Sequence, residues 1–144
     1  MNKEDKELLL KDILPRIPYN LQVEVCEDKN DIRTVLGIIR DAVVVPGEYG
    51  LSTFGLDDIK PILRPLSSMT KEEVNEFKEV SGFTCYHVAI NGVWFDNDIT
   101  PFCTFGDEEY GKVTQNNVIA AIDWLNKKGF DYNGLIDKNL AKKR

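Results

Sequence analysis

The sequence predicts an α+β fold: a small, strongly bent antiparallel sheet, open to barrel-like curling, with N-terminal, middle and C-terminal helices packed around it. Three observations carry this. Short apolar runs crowd the stretch from Leu21 to Phe54 with no room for crossover helices, so they must pair antiparallel. Thr70-Lys-Glu-Glu73 is a capping box, which starts a helix. Asn91-Gly92 between two apolar runs is the signature of a tight hairpin.

The first helix is expected from Lys3 to about Leu14. Leu10, Ile13, Leu14 and Ile17 share one helical face, Asn2 can cap it, and Glu4 and Asp5 suit its positive end. Pro15 and Pro18 end it between Asp12 and Pro15. Leu21, Val23 and Val25 then alternate with Gln22, Glu24 and Cys26, the two-residue period of a strand with one wet face. Asp28-Lys-Asn-Asp31 reads as a turn. Ile32 to Arg40, Ala42 to Val45 and Tyr49 to Phe54 read as further strands, with Gly47, Gly50 and Gly55 permitting sharp bends. Pro61 and Pro65 argue against a helix over residues 57–68, so a turn and an extended connector are expected, with Ile62, Leu63 and Leu66 held on the core.

The capped helix from Thr70 has Val74, Phe77 and Val80 on one face and Gly82 as a stop. The hairpin register follows from a two-residue loop: Ile90 faces Val93, Val88 faces Phe95, His87 faces Asp96 and Cys85 faces Asp98. An irregular stretch through Pro101 and Phe102 leads to a helix from about Asn116 to Lys128. Its Val118, Ala121, Ile122 and Leu125 should dock on the sheet. Asp131-Tyr-Asn-Gly134 is a turn, and Leu135, Ile136 and Leu140 pin the tail before Ala141 releases it. Residues 1–144 are thus expected to form one globular domain, with a bent-sheet half over about 1–68 and a helix, hairpin and C-terminal helix half over about 69–144.

The chain has 144 residues, 42% of them hydrophobic and 29% charged, which suits a cored domain that needs neither metal nor disulfide. Acidic residues outnumber basic ones by 24 to 18, giving a net charge of −6, and this opposes nucleic-acid binding. Lys142-Lys143-Arg144 reads as the solvated end of a frayed tail. Three widely spaced cysteines, Cys26, Cys85 and Cys103, fit a reducing, cytoplasmic setting, and neither a signal peptide nor a membrane span is evident.

Candidate chemistry centres on the predicted hairpin. His87 is the only histidine, with Asp96 opposite and Cys85 two residues back, so a Cys-His-Asp catalytic set is conceivable. Side chains two apart on one strand face stand roughly 6–7 Å from each other, too far for direct proton transfer. The same face with Asp98 could hold a divalent ion, yet it matches no ligand motif, so no cofactor or metal is expected. Asp57-Asp58, Glu72-Glu73 and Asp107-Glu108-Glu109 are neighbours in sequence, and neighbours diverge. No phosphate-loop, zinc-protease, nucleophile-elbow or calcium-loop motif occurs. Trp94, placed on the hairpin face away from the core, and Tyr110 are the candidate contact residues for a protein partner.

Four stretches together carry a resemblance: Lys6-Glu-Leu-Leu-Leu-Lys-Asp12, Leu14-Pro-Arg-Ile-Pro-Tyr19, Ile59-Lys-Pro-Ile-Leu-Arg-Pro-Leu-Ser-Ser-Met-Thr70 and Ala121 to Ile136. In this order they resemble a family of small uncharacterised proteins from Bacteroides-type gut bacteria and their phages or prophages. The resemblance implies a phage or mobile-element origin and an intracellular setting, and it transfers no catalytic residues. The expected function is therefore that of a non-enzymatic accessory protein acting on an unknown protein partner or on a second copy of itself, away from membranes. The alternatives are a small hydrolase-type enzyme using the face around His87, or a nucleic-acid-binding module.

Overall fold

The computed structural model describes residues 1–26, 28, 30–81, 88–90, 93–95, 101–102 and 115–144; for residues 81, 88–90, 93–95, 101–102 and 115–118 it describes the backbone alone. The fold is α+β, in two compact units: Met1–Arg64 with Asn133–Arg144, and Pro65–Tyr132. The last twelve residues therefore return to the first unit instead of joining the second half.

In the first unit, helix α1 (Lys3–Ile13) begins where Asn2 Oδ1 accepts a hydrogen bond from the Asp5 amide at 2.7 Å. Pro15 and Pro18 are compatible with the tighter 3-10 turn Leu14–Tyr19 that follows, which closes on Asn20 with a left-handed φ of 58°. The fully buried stripe is Leu9, Asp12, Ile13 and Arg16; of the expected face Ile13 is buried, Leu10 and Ile17 are half-buried against the core, and Leu14 is exposed. The triple leucine at 8–10 leaves the helical phase ambiguous, and the chain settles it by burying an ion pair on the same face.

Strand β1 (Gln22–Val25) lies between β2 (Ile32–Thr34) and β6 (Ile59–Pro65), antiparallel to both, with Val23 opposite Arg33 and Pro61. The proline-rich connector is thus a sheet strand, since the φ that proline imposes is compatible with extended backbone. Glu24, expected on a wet face, is buried because Lys142 reaches across to its carboxylate. The tail is not frayed. Ala141 is buried, β11 (Lys142–Lys143) runs parallel to β6, and the Arg144 amide donates to the Leu63 carbonyl at 2.7 Å.

The run from Ile32 to Arg40 is interrupted at Val35 and Leu36, and its second part, β3 (Gly37–Ile39), joins another sheet. That sheet has the order β3, β4 (Ala42–Gly47), β5 (Gly50–Gly55), all antiparallel. Among the described residues the two sheets stay open and do not close into a barrel. Leu9, Ile13, Val23, Val43, Val45, Leu56, Ile59, Leu63 and Leu135 form one continuous core.

In the second unit, helix α2 (Lys71–Ser81) carries the capping box as read. Thr70 Oγ1 accepts from the Glu73 amide at 3.1 Å, and Glu73 Oε2 accepts from the Thr70 amide at 2.9 Å. Thr70→Ala removes one acceptor at an exposed end, so a thermal or urea melt should show a loss of about 1 kcal/mol. The expected hairpin register holds where the backbone is described: β7 (Val88–Ile90) and β8 (Val93–Phe95) pair Val88 with Phe95 and Ile90 with Val93. A third strand, β9 (Pro101–Phe102), pairs with β8 where an irregular stretch was expected. Helix α3 (Gln115–Lys128) lies beside β7 and against α2, where Phe77, Ala121, Trp124, Leu125 and Phe130 make a second core. Phe130 and Asp131 form a short strand, β10, at the point where a turn was expected.

Candidate functional site

The candidate site is the outward side of the β3–β4–β5 sheet. Opposed residues in an antiparallel sheet share a face, and faces alternate along each strand. The register therefore sorts the sheet into two sides. Ile38, Val43, Val45 and Phe54 point inward and join the first core. Gly37, Ile39, Ala42, Val44, Pro46, Leu51, Thr53 and Gly55 make up the other side, where Thr53 carries the only polar side chain. A half-wet antiparallel sheet ordinarily alternates apolar inside with polar outside. Here both sides are apolar: Leu51 and Ile39 are 72% and 59% exposed, while Val44 between them is buried.

The hairpin joining β4 to β5 extends this side. Gly47 pairs with Gly50 around Glu48 and Tyr49, and Tyr49 stands 96% exposed at the tip. Gly50 has a φ of 126°, a conformation that strains any residue with a Cβ. Pro46 sits in β4 beyond the last residue paired with β3, so its missing N–H costs that pairing nothing. Among the described residues no strand pairs with the outer edge of β5. That strand, Gly-Leu-Ser-Thr-Phe-Gly, has no charge and no proline, the features that ordinarily protect an edge.

Arg33 braces the hairpin. It donates to both carboxylate oxygens of Asp31, at 2.8 and 2.6 Å, and to the Pro46 carbonyl at 3.1 Å, while its guanidinium lies 5.3 Å from the Phe54 ring centre. The hydrogen bonds from Arg33 hold the Asp31 carboxyl below its ordinary value. A folded-state value lower than the unfolded one means that the pairing stabilises the fold above the ordinary aspartate range, about 3.9, and that this is lost as pH falls through the folded value. Asp31→Asn should therefore flatten the acid limb of a melting-temperature profile below about pH 4. An unchanged acid limb would show that Arg33 gains nothing from the carboxylate charge.

Cys85, His87, Asp96, Asp98 and Tyr110 lie outside the described residues. Trp94 is in β8, opposite Ala89 and Phe102, with its backbone alone described. Among the described residues no group of three His, Cys, Asp or Glu side chains converges to hold a metal, and no helix is long and apolar enough to cross a membrane. Reading Tyr49 to Phe54 as a strand did not single out its open edge. The signal was there in a strand with Leu51 out of step with the inward Phe54.

No protein-family model matches this chain, and no curated protein or solved structure matches it.

Proposed function

We propose that this chain acts by binding another protein chain through the outward side and free edge of the β3–β4–β5 sheet. The observation that carries the reading is the register of that sheet, which puts the exposed Ile39, Pro46 and Leu51 on the side opposite Val43 and Val45, flanking the buried Val44. Exposed apolar surface of this kind favours burial against a partner at about 25 cal/mol per Å². Tyr49, rigid and amphipathic at a hairpin tip, has the character of an interface anchor. The setting we propose is the cytoplasm, where Cys26, exposed and free, would stay a thiol. The role is that of a phage- or mobile-element-type accessory protein, as the four family-like stretches imply.

Site-specific photo-crosslinking tests the reading. A photoreactive residue in place of Leu51 should give discrete adducts in the chain's native cells, and one in place of the exposed Asp137 should give none. Adducts at both positions alike, or at neither, would contradict a dedicated contact surface. Leu51→Lys should abolish co-purification of the adduct partner without lowering the melting temperature, because the side chain is already in water.

A further inference from the structure

We propose that Asn133-Gly134 is a self-modification site at which the Asn133 amide converts to a carboxylate, that the contact with Asp12 holds this reaction back, and that conversion irreversibly releases the C-terminal segment from α1. The backbone suits the chemistry. Gly134 has no side chain to shield its own nitrogen, its φ of 70° is one that other residues adopt only with strain, and the space where a Cβ would stand is open. Among the described residues its amide donates to no backbone carbonyl, and both residues are only half-buried, within reach of water. Once deprotonated, the Gly134 nitrogen attacks Asn133 Cγ within the same chain, forming a five-membered succinimide as the Cγ–Nδ2 bond breaks. The nitrogen departs as ammonia, carrying a proton in place of the one removed from Gly134. Water then adds to one of the two ring carbonyls and opens the ring, giving aspartate or isoaspartate, the latter with an extra methylene in the backbone. Water is consumed, ammonia is released, and no oxidant or reductant takes part.

In the folded chain Asn133 Nδ2 donates to Asp12 Oδ1 at 2.7 Å. That bond fixes the side chain, and because its acceptor is a carboxylate it feeds electron density into the amide, making Cγ a poorer electrophile. The reaction therefore proceeds when the contact opens. Its product cannot close the contact again. A carboxylate at position 133 has no hydrogen to donate and would face the buried Asp12, leaving the Arg16 guanidinium to serve two carboxylates. What is lost is the tie from α1 to the returning segment, in which the Leu140 and Ala141 amides donate to the Leu135 carbonyl and the Arg144 amide to Leu63.

Incubation of the full chain in mildly alkaline buffer, followed by trypsin digestion and mass spectrometry, tests the proposal. The peptide Gly129–Lys138 has Asn133 as its only amide side chain, so conversion there is read separately from any at Asn91-Gly92. Conversion should be slow in the native chain and about tenfold faster in Asp12→Ala, the factor one charge-assisted hydrogen bond is worth. Ile59→Ala, a core truncation of comparable cost that leaves the bond in place, should convert at close to the wild-type rate. Equal acceleration in Ile59→Ala would place the reaction in the unfolded chain and overturn the guarding role of Asp12. No conversion in native Asp12→Ala, while the urea-unfolded chain converts, would overturn the site itself. Asn133→Asp supplies the charge of the product directly. It should speed hydrogen exchange of the Leu140, Ala141 and Arg144 amides about tenfold, and by less in an Asp12→Asn background, where the new carboxylate meets a neutral amide. Unchanged exchange at those amides, or the same acceleration in both backgrounds, would overturn the release.

Discussion

Asp12→Ala should lower the stability of the first unit by about 3–5 kcal/mol, among the largest effects expected of any single substitution in this chain. Asp12 and Arg16 are 0% and 1% exposed, one helical turn apart, where α1 passes into the 3-10 turn. Arg16 donates from Nε and Nη2 to the two carboxylate oxygens at 2.8 and 2.9 Å, and the Asn133 side-chain amide donates to Asp12 Oδ1 at 2.7 Å. Removing the carboxylate takes both Nε and Nη2 hydrogen bonds from a buried guanidinium and releases the Asn133 link between α1 and the returning C-terminal segment. The pair itself is a different matter, because desolvating two charges offsets most of their attraction. Asp12→Leu combined with Arg16→Met should therefore recover most of the loss. Urea melts of the single and double variants check this, and a double variant as unstable as Asp12→Ala would show that the pair is worth more than an apolar replacement.

Trp124→Ala should cost the second unit about 3–5 kcal/mol, the range for emptying a large aromatic site. The indole is buried between Phe77, 5.4 Å away and tilted by 56°, and Phe130, stacked at 5.8 Å and 16°. These contacts tie α2, α3 and the strand after α3 into one core. On the outer side the Lys128 ammonium lies 5.5 Å from the indole centre and pairs with Glu76 at 3.0 Å. The hydrogen bond from Lys128 holds the Glu76 carboxyl below its ordinary value. Trp124→Phe keeps the aromatic stacking and removes only a buried N–H that has no hydrogen-bond partner among the described residues, so it should be much milder than Trp124→Ala. Hydrogen exchange along α2 and α3 separates the two variants, and equal protection in both would contradict the packing argument.

The parts of the fold visible in the sequence are those decided within a few residues. The capping box at Thr70, the Asn2 cap, the stop before Pro15 and the Asn91-Gly92 register all depend on neighbours close along the chain. Features set by distant partners were not legible. Glu24 is buried because Lys142 arrives from 118 positions away, and the tail is a strand because β6 offers it an edge. Residues 59–65 looked like a connector because two prolines suggest irregularity, yet extended φ is what a strand needs. The phase of α1 was hidden by three consecutive leucines. It became fixed only once Asp12 and Arg16 paired on the buried side.

The candidate surface was legible in part. Tyr49 to Phe54 read as a strand, and its lack of charge was plain. That it is an edge, and that Ile39 and Leu51 share a side, follow only from the pairing of β3 with β4 and β4 with β5. The lone histidine and the aromatics around the predicted hairpin stand out in the sequence because such residues are rare, whereas an apolar outer face requires a known register.

The most direct test of the account is hydrogen exchange across the whole chain, measured free and then in complex with the protein crosslinked through position 51. Slowed exchange concentrated in residues 50–55, with α1 and α3 unchanged, is the expected result. Protection spread over α2 and α3 while residues 50–55 exchange as fast as in the free chain would contradict it.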